Sequence, residues 1–368
     1  MSEHLQLGKR KMSVLPCLSL SLTDDDHVLR LMSDLIQWDK PDCQSRARAF
    51  FLPEDPGNVV LEAVFAPLRA VCRLVVRHAN EGLADAQVLI SRRGEVNAAM
   101  LDRSPNVSLV QRLGERRKGL DIPACHARGI EVSLLPRRSL DHVADHTMML
   151  ILAAARRLPA MQAGLRNFRE ASGAPGYVSY NWPAVGGIQA LSGLTLGVVG
   201  LGEIGLRVAR RASAFGMSVV WTAQNGVRAE TESSGWRWMA LPALLREADI
   251  VTLHVPPAGL TGPLIGQREL STMKPGAILI NTARGALVDS RALADALRSG
   301  RLAGAALDVH AAEPIAPDDP LLSLPDAILT PHVAGGSRQV VLHELSAICD
   351  NLVDSRAGLP PRHARVLA

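Results

Sequence analysis

The sequence predicts an α/β protein with two domains. The chain has 368 residues, more than the roughly 100 to 200 residues of an average domain, so two domains are expected. Short apolar segments alternate with helical patterns along most of the chain, which is typical of parallel sheets covered by helices. An apolar segment at 194–199 runs directly into Gly200-x-Gly202-x-x-Gly205. This order predicts a strand, a tight turn and a helix.

The first domain is predicted to begin at residue 46. Residues 1–45 carry charge clusters and few periodic signals, so they are expected to form an N-terminal extension, which could be flexible. Apolar runs and turn residues then indicate short strands and helices. The predicted strands are 47–52, 72–76, 86–91, 107–111 and 130–134, and the predicted helices are 59–68 and 122–127.

The second domain is predicted from a further series of strands. A helical pattern at 143–158, which ends beside Pro159, leads toward it. The predicted strands are 194–199, 218–222, 250–254, 277–281, 304–308 and 327–330. A final helix at 338–353 could return to the first domain. The expected division is 46–155 with 333–368 for one domain and 156–332 for the other.

Composition excludes several classes of protein. Hydrophobic residues make up 47% of the chain and charged residues 21%, which is ordinary for a globular protein. The apolar run 148–155 is far shorter than the roughly 20 residues of a membrane span, and no secretory signal precedes the fold, so no membrane and a cytoplasmic location are expected. The net charge is only +4 and aromatics are 3%, which argues against nucleic acid. The five cysteines lack metal-ligand spacing, so no metal is expected.

The glycine turn at 200–205 predicts a dinucleotide site. Glycines permit a tight turn and a close approach to a pyrophosphate, while the N-terminus of the following helix offers N–H groups to it. An acidic residue about 20 positions later would bind the ribose hydroxyl of NAD. Here the second strand leads into Ala223 without a carboxylate, and Arg228 is close enough in sequence to pair with a 2′-phosphate. NAD and NADP both stay open.

Three strand ends carry groups suited to chemistry on a carboxylic acid. Arg284 follows the strand 277–281 and can grip a carboxylate through two parallel hydrogen bonds. Glu313 and His332 follow the next two strands. A carboxylate beside an imidazole stabilises its charged form, which makes the histidine a proton donor. His310 competes for this role, but it is more simply interpreted as a structural linker residue.

Several motifs together resemble those of the D-isomer-specific 2-hydroxyacid dehydrogenase family. They are Ala144-Asp-His146, the glycine turn, Leu253-His-Val-Pro256, Asn281-Thr-Ala-Arg-Gly285, Ala306-Leu-Asp-Val309 with Glu313-Pro314, and Thr330-Pro-His332. The resemblance covers about 46–360. It implies a Rossmann-type doubly wound parallel sheet inserted into a smaller flavodoxin-like substrate domain, and a homodimer.

The resemblance also implies roles for individual residues. Arg284 would bind and polarise a small 2-oxo acid, His332 would exchange the proton, Glu313 would tune that histidine, and Asp308 would lie near the nicotinamide carboxamide. The implied cofactor contacts are Gly200, Gly202, Glu203, Ile204, Gly205, Ala223, Arg228, Val255, Pro256, Thr282, Ala283, Asp308 and Gly335. The implied reaction is reversible hydride transfer between NAD(P) and C2 of a D-2-hydroxy acid.

The implied substrate loops depart from the family pattern. The expected substrate contacts are Arg93, Gly94, Leu113, Gly114 and Arg116. Arg116 stands where family members often have a second glycine, so it, Arg117 and Arg138 could receive a second anionic group or could simply be solvated. A dinucleotide-sensing regulator, similar to the C-terminal-binding corepressors, is the alternative function, because those proteins resemble the same family.

Overall fold

The computed structural model describes residues 17–22, 64, 66–67, 73–78, 83–92, 94–167, 181, 183–223, 234–257, 260–335, 338–363 and 365–367. The chain divides into two compact units, one formed by 1–138 with 338–368 and the other by 139–337. None of the described helices is long and apolar enough to cross a membrane. The described residues contain no group of three His, Cys, Asp or Glu side chains that could hold a metal ion.

The described strands and helices alternate along both units. The strands are β1 Cys17–Leu22, β2 Arg73–His78, β3 Val88–Ser91, β4 Leu109–Leu113, β5 Glu131–Leu135, β6 Thr195–Val199, β7 Ser218–Thr222, β8 Arg237–Trp238, β9 Ile250–Leu253, β10 Ala277–Asn281, β11 Leu302–Leu307, β12 Ala327–Leu329 and β13 Arg365–Leu367. The α-helices with defined bounds are α1 Ala98–Asp102, α2 Ile122–His126, α3 Ser139–Ala155, α4 Leu158–Asn167, α5 Glu203–Ala214, α6 Leu241–Glu247, α7 Gln267–Thr272, α8 Ser290–Arg298 and α9 Arg338–Arg356.

The described strands of the first unit form a sheet with the strand order β13-β5-β4-β3-β1-β2. All neighbouring pairs are parallel except β13 with β5. Without β13 the order is 2-1-3-4-5, which is that of flavodoxin-like folds. Strand β4 is buried along its whole length, and Leu89, Val110 and Val132 of neighbouring strands share one core cluster. The expectation of a flavodoxin-like sheet is confirmed.

The N-terminal residues correct one expectation. Residues 1–45 were expected to form an extension, but β1 pairs in parallel with both β2 and β3, inside the sheet. The expectation was wrong for 17–22, because the leucines there alternate with serines and do not form the continuous apolar run by which most other strands were predicted. The predicted strand 47–52 lies outside the described residues, and the predicted helix 59–68 is described at only three positions.

The second unit contains a sheet whose described strands pair in parallel in the order β12-β11-β10-β9-β6-β7-β8. Counted within this unit, the order is 7-6-5-4-1-2-3, the doubly wound Rossmann arrangement. Strands β9 and β10 are buried at every position, as expected when helices cover both faces of a parallel sheet. The predicted Rossmann-type sheet is therefore confirmed.

Helix α3 is packed into the second unit. Its residues Ala144, Met148 and Ile151 share a core cluster with Leu196 and Val198 of β6. The units consequently divide after residue 138, whereas the sequence placed the boundary after residue 155. The helix is also interrupted, because Arg157 has a left-handed backbone with φ of 56°. The helix predicted as 143–158 thus runs from 139 to 155, and a separate α4 follows.

Candidate active site

The glycine turn joins β6 to α5 in the second unit. Gly200 has φ of 98°, and a Cβ there would lie 2.5 Å from Val255 Cγ1 and 2.7 Å from the His254 carbonyl oxygen. A Cβ on Gly205 would lie 2.1 Å from the Gly200 carbonyl oxygen. Both positions therefore require glycine for packing between the turn, the helix and the end of β9.

Gly202 differs from the other two glycines. A Cβ at Gly202 would meet no protein atom within 4 Å, so its lack of a side chain is not required by packing inside the protein. Gly202 is also the N-cap of α5 and forms no side-chain cap hydrogen bond. An open, positively polarised helix end beside a bare backbone fits a dinucleotide pyrophosphate. The residues present thus fit the expected cofactor.

The end of β7 is where a carboxylate that binds the ribose of NAD would be expected, and no described residue there is Asp or Glu. Ala223 follows β7 directly and packs partly against the core. Arg228, the predicted partner of a 2′-phosphate, lies outside the described residues. After β9, Val255 packs against the core and Pro256 is exposed. Burial lowers the pKa of His254 to about 3, so this imidazole is neutral and cannot serve as a proton donor near neutral pH.

The loop after β10 presents Arg284. The buried Asn281 side chain accepts a hydrogen bond from the Ala283 N–H at 3.0 Å and donates one to the Arg284 carbonyl oxygen at 2.8 Å. The exposed Arg284 guanidinium donates to the Ala283 carbonyl oxygen at 2.6 Å. Asn281 therefore fixes the backbone of the loop, and the remaining guanidinium donors stay available to an anion.

Gly285 brings this loop against the next one. A Cβ at Gly285 would lie only 1.9 Å from the His310 carbonyl oxygen and 2.6 Å from the Ala311 nitrogen. Only a glycine allows the two backbones to come this close. The loop that carries Arg284 is therefore directly packed against the loop that leads from β11 to Glu313.

Glu313 and His332 form a short ion-pair contact. His332 Nδ1 lies 2.6 Å from Glu313 Oε2, with side chains 47% and 38% exposed. The backbone N–H of His310 donates to Glu313 Oε1 at 3.0 Å. Partial burial alone would raise the pKa of Glu313, but the hydrogen bond from His332, the His310 N–H and the charges of both imidazoles together hold it below its ordinary value. Glu313 is therefore an ionised acceptor facing His332, as a proton donor requires.

His332 stands on a strained backbone. Its φ is 53°, a conformation that costs a non-glycine residue on the order of 1 to 3 kcal/mol unless its surroundings hold it. Its N–H donates to the carbonyl oxygens of Asp308 at 2.8 Å and Thr330 at 3.1 Å. The imidazole of His310 lies 3.0 Å from the Thr330 carbonyl oxygen. His310, interpreted as a linker residue, thus supports the pair through its backbone and its ring.

Asp308 anchors the whole loop from 330 to 334. Its fully buried carboxylate accepts hydrogen bonds from the Thr330 hydroxyl at 2.5 Å and from the N–H groups of Val333 at 3.0 Å and Ala334 at 2.8 Å. The place near the nicotinamide that the family resemblance implies for Asp308 stays a prediction, and the observed contacts show that Asp308 also holds the His332 loop. That task could not be read from the sequence, because backbone acceptors and donors carry no sequence signal.

The predicted substrate loops lie in the first unit. Leu113 and Gly114 are buried at the end of β4, where Gly114 has φ of 103° and donates its N–H to the Leu135 carbonyl oxygen at 2.7 Å. The neighbouring loop of Gly94 is joined to this one by a 2.7 Å hydrogen bond from Val96 to Gly119. Arg116 is exposed. Arg93 lies outside the described residues.

The remaining predicted cofactor residues lie in the second unit. Glu203 and Ile204 begin α5, and Thr282 and Ala283 precede Arg284. Gly335 follows the His332 loop, and a Cβ there would lie 3.4 Å from Val143 of α3. Together, the doubly wound sheet, the glycine turn and the charged strand ends define a dinucleotide-binding protein of the dehydrogenase class.

Comparison with known proteins agrees with this class. Residues 148–334 match the family model for the NAD-binding domain of D-isomer-specific 2-hydroxyacid dehydrogenases. The chain is 35% identical over 286 residues to a glyoxylate reductase of Korarchaeum cryptofilum, covering 76% of this chain and 83% of the relative. The chain belongs to the D-isomer-specific 2-hydroxyacid dehydrogenase family.

Two further similarities concern the length of the relatives and the nicotinamide cofactor. The chain is 34% identical over 277 residues to D-3-phosphoglycerate dehydrogenase of Archaeoglobus fulgidus, which covers 75% of this chain but only 50% of that relative. A solved NADPH-dependent glyoxylate/hydroxypyruvate reductase of Sinorhizobium meliloti matches with a TM-score of 0.58 and 25% identity, covering 95% of this chain and 97% of that one. The predicted family, the fold and a nicotinamide cofactor, NAD or NADP, are confirmed.

Proposed function

We propose that this chain catalyses reversible hydride transfer between NAD(P) and C2 of a small 2-oxo or D-2-hydroxy acid. The observation that carries the proposal is the 2.6 Å contact between His332 Nδ1 and Glu313 Oε2. A carboxylate at that distance stabilises the imidazolium, which is the proton donor that reduction of a ketone needs. Family membership and the glycine turn support the nicotinamide part of the reaction.

Each side chain has one task in the proposed reduction. The Arg284 guanidinium binds the carboxylate of the 2-oxo acid and polarises its C2 carbonyl group. The bound reduced nicotinamide supplies the hydride that C2 receives. His332 transfers a proton from its imidazolium to the C2 oxygen, and Glu313 stabilises the charged ring before the transfer. In oxidation of the hydroxy acid, the neutral His332 accepts that proton instead.

The substitution His332→Gln tests the assignment of the proton donor. We expect kcat to fall about 100- to 10,000-fold, the usual contribution of general acid catalysis, while the Kd of the dinucleotide stays within about twofold. His142→Gln is the matched control, because His142 is an exposed histidine of α3. Near-full turnover by His332→Gln with a good 2-oxo acid would show that another group donates the proton.

A substrate panel tests the function as a whole. Glyoxylate, hydroxypyruvate, pyruvate, bulkier 2-oxo acids and a phosphorylated 2-oxo acid are each offered with NADH and with NADPH. The names of the two similar proteins motivate this choice of small and phosphorylated acids. We expect turnover of at least one acid. Tight dinucleotide binding with no turnover across the panel would favour a dinucleotide-sensing regulator.

The exposed Arg116 carries the finer proposal about substrate charge. It follows Gly114 at the end of β4, and the loops after β3 and β4 are joined to each other by the Val96–Gly119 hydrogen bond. We propose that Gly94, Leu113 and Gly114 contact the acid and that Arg116 binds a second anionic group. Arg116→Gly should then raise KM for dianionic acids only, with Arg103→Gly as the exposed control. Equal effects on monoanionic and dianionic acids would contradict this role.

The proposed assembly is a homodimer in the cytoplasm, and the proposed substrates exclude nucleic acids. The mass of the protein in solution tests the homodimer directly. A DNA-retention assay at low ionic strength tests the exclusion of nucleic acids, because nonspecific binding through basic residues is strongest at low ionic strength. We expect no retention of DNA.

A further inference from the structure

Two consecutive polar residues of helix α3 have no task in the proposed reaction. His146 is 14% exposed in its side chain, and Thr147 is fully buried. His146 also ends the Ala144-Asp-His146 motif of the sequence. Buried polar groups are retained at a cost unless they form hydrogen bonds, so their partners indicate what they do.

His146 reaches the loop that carries His332. Its Nε2 lies 3.1 Å from the Thr330 hydroxyl and 3.4 Å from Asp308 Oδ1. The Thr330 hydroxyl itself donates to Asp308 Oδ1 at 2.5 Å. When Nε2 carries the proton, His146 donates to Thr330, and Thr330 donates to Asp308. This chain of hydrogen bonds ends on the Asp308 carboxylate, which accepts the N–H groups of Val333 and Ala334, the two residues directly after His332.

Thr147 reaches the loop that carries Arg284. Its hydroxyl donates to the Val143 carbonyl oxygen at 2.7 Å and lies 2.9 Å from the Thr282 hydroxyl. Because the Thr147 hydroxyl donates its one proton to the Val143 carbonyl oxygen, it accepts the hydrogen bond from the Thr282 hydroxyl. Thr282 is buried two residues before Arg284. Adjacent residues of one helix thus hold the two loops that present the substrate-binding cation and the proton donor.

We infer that His146 and Thr147 are positioning residues, which hold the His332 loop and the Arg284 loop at a fixed separation. The inference rests on the proposed function for its catalytic consequence, but the positioning itself is a property of the protein alone. Hydrogen bonds from the buried face of a helix are suited to this task, since misplacement by about 1 Å can cost 100-fold in rate.

An NMR experiment without substrate tests the positioning of His332. Histidine is labelled with ¹⁵N in the full chain, and the imidazole signals of His332 are assigned by their loss in His332→Gln. We expect His146→Ala to shift the His332 signals because the loop loses its anchor. His146→Gln should restore them, since the glutamine amide can donate near the position of Nε2. His142→Ala should leave them unchanged.

Steady-state kinetics separates the two loops. We expect His146→Ala to lower kcat about 10- to 100-fold, with partial rescue by His146→Gln, because it misplaces the proton donor. Thr147→Val keeps the side-chain shape and removes the acceptor of Thr282. It should raise KM for the 2-oxo acid about 3- to 10-fold, the size of one hydrogen bond, with kcat changed less than about twofold.

The outcomes distinguish this inference from the proposed function. Unchanged His332 signals in His146→Ala would overturn the positioning role, whether or not the wild-type protein turns over a 2-oxo acid. Absence of turnover in the wild type, together with shifted His332 signals in His146→Ala, would refute the function and support the positioning. Equal loss of kcat in His146→Ala and His146→Gln would also overturn it, because a donor at that position would then not matter.

Discussion

The contact between Gly285 and His310 allows a worked prediction for Gly285→Ala. The added Cβ would lie 1.9 Å from the His310 carbonyl oxygen, whereas real Cβ atoms are essentially never closer than 3.0 Å to such an atom. The two loops must therefore separate by about 1 Å at this point. Because one loop carries Arg284 and the other carries Glu313, the separation changes the distance between the proposed substrate-binding cation and the proposed proton-donor pair.

The expected cost follows from that displacement. A 1 Å error in the position of catalytic groups costs on the order of 100-fold in rate, which corresponds to about 2.7 kcal/mol. Overpacking itself destabilises the fold by about 1 to 3 kcal/mol. We therefore expect kcat/KM to fall about 100-fold while the protein remains folded, since a typical domain has about 5 to 15 kcal/mol of stability.

The assay measures kcat/KM from the absorbance of the reduced nicotinamide, with the best acid of the panel as substrate. Dinucleotide binding and thermal unfolding of each variant are measured separately. Gly262→Ala is the matched control, because Gly262 lies in the same unit and a Cβ there meets no atom within 4 Å. We expect Gly262→Ala to behave as wild type. A folded Gly285→Ala protein with kcat/KM within about twofold of wild type would refute the reasoning that this contact sets the catalytic geometry.

Three further predictions concern the cofactor and Glu313. Gly202→Ala should keep the melting temperature, since its Cβ meets no protein atom, yet raise the dinucleotide Kd at least about tenfold; unchanged Kd in a titration would contradict the pyrophosphate assignment. Ala223→Asp should weaken NADPH relative to NADH through repulsion of the 2′-phosphate, measured as the ratio of the two Kd values, and a constant ratio would contradict it. The lowered pKa of Glu313 means that its ionised form stabilises the fold above the ordinary value of 4.5, and that this contribution disappears as pH falls through the lower folded pKa. Glu313→Gln should therefore cost less than about 1 kcal/mol of unfolding free energy near pH 6, because the pair is partly exposed, and this cost should shrink as the pH is lowered below 4.5; a cost that does not change with pH in denaturant titrations would contradict the pairing.

Most of the second sheet could be predicted from sequence because its strands are buried on both faces. Such strands appear as continuous apolar runs, and β9 and β10 begin at the predicted residues. Strand β8, with two exposed residues, and β13, with three residues, provide no comparable signal. Strand β1 was missed because it has no continuous apolar run, since its leucines alternate with serines.

The candidate site could be proposed from sequence where a side chain has a group suited to the chemistry. Arg284, Glu313 and His332 have charged groups at strand ends, and the structure brings Glu313 and His332 into contact. The supporting contacts were not predictable, because they depend on backbone atoms. The N–H groups that Asp308 binds and the carbonyl oxygen that Gly285 approaches exist at every residue. Their use is decided only by the three-dimensional path of the loops.

The order of strands explains why these groups belong to one site. Strands β6, β9, β10, β11 and β12 are successive neighbours in a parallel sheet, so their carboxyl ends lie along one edge. The glycine turn, His254, Arg284, Glu313 and His332 follow these strands in the same order. Ligands of such sheets bind at that edge, beside the point where the strand order reverses, which here lies between β6 and β9. The proposed proton-transfer groups therefore lie on the β10–β12 side of the glycine turn, and Ala223 lies on the opposite side after β7. A change at Ala223 should accordingly alter cofactor choice without altering proton transfer.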